Sequence, residues 1–215
     1  AISDCEPNVA TLEKLLLEKG KQVMIKLSPM LDLSLAIRDM QHVSEAHIVS
    51  VNNECKELLL LLRPGDDSPE IPSAMSQPIV CINFANQEIQ RFVFTRKSEQ
   101  ATECSYTHEI GTYLYEPNAS ILKAGAFRSI ASSFHLSKLH ANSHLYTSNE
   151  RIEKFPGRIF RITGYSGLNK KELKNILNGL DKANITTRNF PQSVAELRKR
   201  LKLTDGGDIY LFATT

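Results

Sequence analysis

Cationic side chains crowd the last third of this 215-residue sequence. Arg198, Lys199, Arg200 and Lys202 fall in one short run, Lys170, Lys171 and Lys174 in another, and Lys123, Arg128 and Lys138 precede them. Residues 151–215 hold 13 Lys and Arg against 6 Asp and Glu, a balance of +7. Residues 1–150 hold 13 against 18, a balance of −5. Phosphate recognition needs positive charges on a common face, reaching outward. At helical spacing Arg198 and Lys202 share a face, and Arg200 points elsewhere. The chemistry implied is docking of a polyanion, nucleic acid first, with a solvated basic surface as the competing account. Tyr165 and Phe190 are placed to stack on bases, although strand aromatics more often belong to a core.

Other reactive residue types are weaker candidates. His140 and His144 are four apart, a ligand spacing only on a helix. The segment Leu139 to Thr147 reads as extended and offers no carboxylate or cysteine partner, so these two and His135 read as polar loop histidines and no metal is expected. Cys5, Cys55, Cys81 and Cys104 are scattered without a CxxC pair, the pattern of buried thiols, and Cys5 lacks a paired histidine to make it a nucleophile. No GxG motif occurs, and Gly164 and Gly167 read as far from any strand-to-helix turn of a nucleotide fold. Apolar residues make up 41% and charged residues 23%, ordinary for a globular protein. The longest purely apolar run, Leu58 to Leu62, is too short to cross a bilayer. The opening Ala1 to Glu6 has neither a basic leader nor an apolar stretch, so the expected compartment is the cytoplasm.

The elements that must position these groups follow from periodicity and punctuation. Pro7, Leu12, Leu15, Leu16 and Gly20 predict a first helix with Pro7 at its first position. Residues 22–27 read as a buried strand. Leu31 to Met40 reads as a helix with Leu31, Leu35 and Met30 inward. Residues 46–51 and 57–62 read as strands around the turn-forming Asn52-Asn53. Helix, strand, helix, strand, strand is the second half of a doubly wound α/β sheet. Arg63 to Pro78 reads as loop, residues 78–84 and 89–95 as a hairpin, and Arg96 to Glu103 as a linker. Tyr113 to Tyr115 predicts a strand, and Pro117 the start of one helix carrying Ile121, Leu122, Phe127, Ile130 and Phe134. The last block reads as strand 158–165, helix 169–181, strand 185–190, helix 194–203 and strand 208–214. Both of its helices open with a cap three residues before a glutamate, Asn169…Glu172 and Ser193…Glu196.

The strings KLSPMLDL (26–33), NECKELL (53–59), YEPNASILKAGAF (115–127), HANSHLYTS (140–148) and VAELRKRLKLTDGGDIYLFATT (194–215) are long and specific. They resemble the bacterial class I S-adenosylmethionine-dependent methyltransferases with a carboxyl-terminal THUMP-like domain, and the resemblance covers nearly the whole chain. It implies three parts: residues 1–97 as the second half of a Rossmann-like methyltransferase domain with an added hairpin, 106–148 as a small ferredoxin-like unit, and 158–215 as a βαβαβ THUMP-like domain. Family members also carry an amino-terminal helical region and the first half of the sheet, with the glycine-rich cofactor turn. The expectation is therefore a fragment that does not bind S-adenosylmethionine unaided, although the parent uses it.

In open α/β sheets ligands sit outside the carboxyl ends of the strands. Ser28-Pro29-Met30 end one strand, and by the resemblance Ser3-Asp4-Cys5-Glu6 directly follow the absent catalytic strand. Asp4 is then the residue to orient a nucleophilic nitrogen or oxygen, and Ser28 to hydrogen-bond the substrate. The competing account makes Asp4 a helix cap and Pro29 a strand terminator. Two functions stay open at this point. The parent methylates RNA docked by the THUMP-like module, or the chain is a non-catalytic RNA- or protein-binding module.

Overall fold

The computed structural model describes residues 2–64 and 75–215, so most of the expected 63–78 loop lies outside the described residues. The chain divides into two compact units. The first gathers Ala1–Cys104, Pro117–Phe134 and Lys154–Arg158; the second gathers Ser105–Glu116, His135–Glu153 and Ile159–Thr215. The fold is mixed α/β.

In the first unit a single 3-10 turn, Ile2–Asp4, leads to α1, Val9–Lys19. Asn8 caps α1 by accepting from Ala10 N–H, so Pro7 lies outside the helix rather than in its first turn. Strand β1 spans Val23–Leu27. Helix α2, Leu33–Arg38, is capped by Asp32, which accepts from Leu35 N at 2.9 Å. Starting the helix at Leu33 fixes its inward stripe as Leu33, Ala36 and Ile37, at i, i+3 and i+4. Leu35 therefore points out, and Met30, ahead of the helix, is 87% exposed; the expected inner face was wrong.

Strands β2, Val43–Val51, and β3, Glu54–Leu62, flank Asn52 and Asn53, whose φ angles of 49° and 63° suit a two-residue hairpin turn. Strands β4, Ile79–Ala85, and β5, Glu88–Phe94, form the second hairpin. The sheet order is β1-β3-β2-β4-β5, with β2 and β4 parallel and every other pair antiparallel. Alternation is clear where one face is covered: Ala46, Ile48 and Ser50 on β2, and Leu58, Leu60 and Leu62 on β3, are all buried.

The expected linker 96–103 is a helix, α3, Arg96–Ala101, closed by a capping box between Thr95 and Ser98. The expected single helix after Pro117 is two, α4, Ala119–Ala124, and α5, Phe127–Ser133, broken at Gly125 in the left-handed region. Asn118, not Pro117, starts α4 by accepting from Ile121 N. Helix α4 lies on β2, β3 and β4 through buried Ile121 and Ala124. Helix α5 has no side-chain cap of its own. The carboxylate of Glu99 supplies one, accepting from the N–H groups of Phe127, Arg128 and Ser129 at 2.9, 2.7 and 2.8 Å.

Strands β6, Tyr113–Pro117, β7, Ser137–Lys138, β8, Tyr146–Ser148, and β9, Gly157–Arg161, form a sheet ordered β7-β8-β6-β9, all of it in the second unit except Pro117, Gly157 and Arg158. Residues 139–145 turn between β7 and β8 and so are not the extended run expected. Helix α6, Lys170–Ile176, stops five residues early, ahead of Gly179 at φ 77°. Strands β10, Asn184–Arg188, and β11, Tyr210–Thr214, pair in parallel on either side of α7, Val194–Leu201, in chain order. Ser193 and Glu196 form the expected capping box on α7. Buried Ala183, Ile185, Leu197 and Leu203 make a core, against which Leu177, Leu180, Phe190, Val194, Leu201 and Leu211 pack.

Candidate nucleic-acid interface

The cations named from the sequence do not all reach solvent, nor do they share one unit. Lys123, at the end of α4, and exposed Arg128, on α5, belong to the first unit. Lys138 must be removed from the interface: it is 2% exposed. Its ammonium donates to the carbonyl of Ala141 at 2.6 Å, lies 3.3 Å from His144 Nδ1, and sits 5.9 Å from the centre of the Tyr146 ring. A buried ammonium committed to a carbonyl cannot meet a phosphate.

Exposed cations do gather in the carboxyl-terminal part. Lys170, Lys171 and Lys174 are all exposed on α6, and Lys199 and Arg200 on the last turn of α7. Positive charge there also complements the helix dipole, a purely structural benefit. Arg198 is half-committed, its guanidinium paired with the Asp205 carboxylate. Lys202 is exposed but is the C-cap of α7 at φ 57° and ψ 39°, so the expected i, i+4 face shared with Arg198 does not exist. Arg200, set aside from the sequence, donates to the carbonyl of Leu168 at 2.9 Å and to Gln192 Oε1 at 3.3 Å. Nothing local marks that role, because Leu168 is 32 residues away.

Two charged residues went unnoticed in the sequence. Glu116, on β6, is 1% exposed, and Arg188, on β10, pairs with it at 2.5 Å. Close by, burial and then the charges of Lys138 and Arg188 push the His144 imidazole down to about 4. His140 Nδ1 faces Asn142 N and Asn189 Nδ2, both at 3.1 Å. No group of three or more metal-ligating side chains occurs among the described residues.

Gly164 and Gly167 lie in the connection between β9 and α6. Gly167 N–H donates to the Glu172 carboxylate at 2.8 Å, so a negative charge already occupies the place an anionic ligand group would take. Asp4 and Ser28 are both exposed in the first unit, on the opening turn and just past β1. Ser28 Oγ accepts from Met30 N at 3.2 Å, which leaves its own proton to donate. The four cysteines stand as thiols, and burial pushes that of Cys81 up. No described helix is long and apolar enough to cross a membrane.

Residues 113–156 match the ferredoxin-like domain family and residues 157–215 the THUMP domain-like family. A crystal structure of a protein from Porphyromonas gingivalis W83, described as a candidate methyltransferase, superposes with a TM-score of 0.91 at 39% identity. The match covers 100% of this chain and 53% of that one, so this chain spans about half the length of its solved relative. No curated protein matches. The carboxyl-terminal part of the chain thus matches a ferredoxin-like domain followed by a THUMP-like domain, and the chain as a whole is similar to that candidate methyltransferase.

Proposed function

We propose that this chain is the carboxyl-terminal part of an S-adenosylmethionine-dependent methyltransferase acting on RNA, with the THUMP-like domain docking the substrate. The observation that carries the reading is the whole-length match to the candidate methyltransferase at 39% identity. Exposed Lys170, Lys171, Lys174, Lys199 and Lys202 within the THUMP-like residues support RNA as the docked partner. On this reading Asp4 and Ser28 stand at the substrate cleft, Asp4 orienting the nucleophilic atom and Ser28 donating its proton to the substrate.

The loop that holds Gly164 and Gly167 does not fit the methyl donor. The glycine-bearing connection 162–169 spends Gly167 N–H on Glu172, whose charge opposes the carboxylate of S-adenosylmethionine. We therefore assign the donor to another segment of a longer protein. The test is incubation of the full-length protein with total cellular RNA and isotopically labelled donor, followed by nucleoside analysis. Label in one modified nucleoside, reduced by Asp4→Asn with RNA affinity unchanged, supports the reading. An unlabelled RNA pool overturns it.

A further inference from the structure

The second unit contains a cavity of about 770 Å³, within the size range of small-molecule sites. Its floor is the core side of α7, β10 and β11, where Ile185, Leu197 and Leu211 reach it. Six large apolar side chains of this unit are exposed, and five of them, Ile110, Tyr165, Ile176, Ile209 and Tyr210, line this one space. Exposed apolar surface concentrated in this way marks an interaction site rather than incidental exposure. One wall is aromatic: the Phe160 ring lies 4.9 Å from both Tyr210 and Phe212, centre to centre. Tyr165 stands 72% exposed in the Gly164–Gly167 loop.

The electrostatics select among occupants. Arg161 is the only charged residue among the described lining residues, and no carboxylate is among them. Around that apolar interior the rim carries cations, together with one carboxylate, that of Glu172, which the lining Gly167 N–H holds at 2.8 Å. Arg200 holds the carbonyl of Leu168, a lining residue, at 2.9 Å. Lys170 lies one helical turn before the lining Leu173, and Lys174 one turn before Leu177. An aromatic interior without a carboxylate, with lysines and an arginine at its rim, complements a flat heteroaromatic ring carried on an anionic backbone. Thr163 and Asn178 in the lining add hydrogen-bonding groups for a ring edge. A duplex offers no ring to such a cavity, because its bases are stacked and paired. We propose that the cavity takes an unpaired nucleotide of single-stranded RNA, its base against the Phe160–Tyr210 wall and Tyr165, its phosphates at the rim cations. This rests on the reading that the THUMP-like domain docks RNA, and it narrows that substrate to an unstacked strand.

The test uses the 215-residue chain and a short single-stranded oligoribonucleotide carrying 2-aminopurine, beside the same sequence annealed into a duplex. Binding of the single strand should change the 2-aminopurine emission, and the duplex should bind at least about tenfold more weakly. Tyr165→Ala should weaken single-strand binding roughly 5- to 150-fold, the loss of one stacked base, without altering the salt dependence. Tyr165→Phe, which keeps the ring, should bind as the parent does. Lys170→Ala with Lys174→Ala should instead flatten the log–log salt slope by about 1.4. Far-ultraviolet circular dichroism of the Tyr165 variants, exposed substitutions, checks that the fold is kept. RNA binding with silent 2-aminopurine and an unaffected Tyr165→Ala overturns the cavity proposal and leaves RNA docking standing. Absence of any RNA binding overturns both. An apolar dye displaced from the cavity by aromatic peptides but not by the single strand overturns it in favour of a protein partner.

Discussion

Acidification should destabilise the second unit through one histidine. His144 lies in the turn before β8 at φ 54°, with the Lys138 ammonium 3.3 Å from its Nδ1. Lysine donates only, so Nδ1 must accept and the ring proton belongs on Nε2. A second proton would set an imidazolium N–H against the ammonium. Burial first, then Lys138 and Arg188, lower the group from 6.5 to about 4. The unfolded chain therefore takes up a proton on falling below 6.5, whereas the folded chain does not until about 4. The stability is complete above the upper value and is lost as pH falls through that window. At 1.36 kcal/mol per unit, and discounted for the solvent screening of a partly exposed ring, the loss is about 1–3 kcal/mol. His144→Asn removes the titration and keeps a residue that tolerates the left-handed backbone. The assay is hydrogen exchange at the β8 amides, which follows this unit by itself, for parent and variant from neutral pH down to the lower value. The parent should lose about 1–3 kcal/mol more than the variant. Parallel pH profiles, or a His144 ring resonance titrating near the ordinary value, would refute the argument.

Glu99→Ala should cost about 1–3 kcal/mol, since it removes the carboxylate that accepts from three N–H groups of α5, and exchange should quicken first at Phe127 to Ser129. Glu99→Gln, which keeps an acceptor, should recover part of that. Leu197→Ala, at a site 1% exposed in the THUMP-like core, should cost about 2–5 kcal/mol by urea denaturation; a loss below about 0.5 kcal/mol would mean α7 does not pack as described. Alanine at Lys170, Lys171 and Lys174 together should flatten the salt dependence of single-stranded RNA affinity by about 2 log–log units, at roughly 0.7 per phosphate contact, with urea stability unchanged. An unchanged slope would mark these lysines as solvated surface.

What the sequence revealed follows the range over which each determinant acts. Leu58, Leu60 and Leu62 alternate because one sheet face is covered, and Asn52-Asn53 turns because both residues accept positive φ; these signals are local and legible. So is the Ser193–Glu196 box, whose partners are three residues apart. Helix α3 was missed because Arg-Lys-Ser-Glu-Gln-Ala has no apolar stripe; its Glu99 serves a helix some 28 residues further on. Lys138 looked like its neighbours in charge, and only strand pairing and the Ala141 carbonyl reveal it as interior. Lys202 failed because helical spacing was extended past a helix that ends at Leu201. The exposure of the α6 lysines was legible, since an outward face needs no distant partner. The cavity was not, because Ile110, Tyr165 and Tyr210 meet only through tertiary structure.

The ion pair between Glu116 and Arg188 bears on how such a protein can be inherited. One partner falls in the ferredoxin-like residues and the other in the THUMP-like residues, although both lie in the same compact unit. A gene rearrangement that transplanted residues 157–215 alone would take from Glu116 both its guanidinium partner and the strand beside β6. A hydrogen bond between charged groups contributes about 1.5–3 kcal/mol, a sizeable fraction of a domain's stability. Shuffling at the boundary between the two families is thereby penalised, and the two modules should descend through genomes as a linked pair.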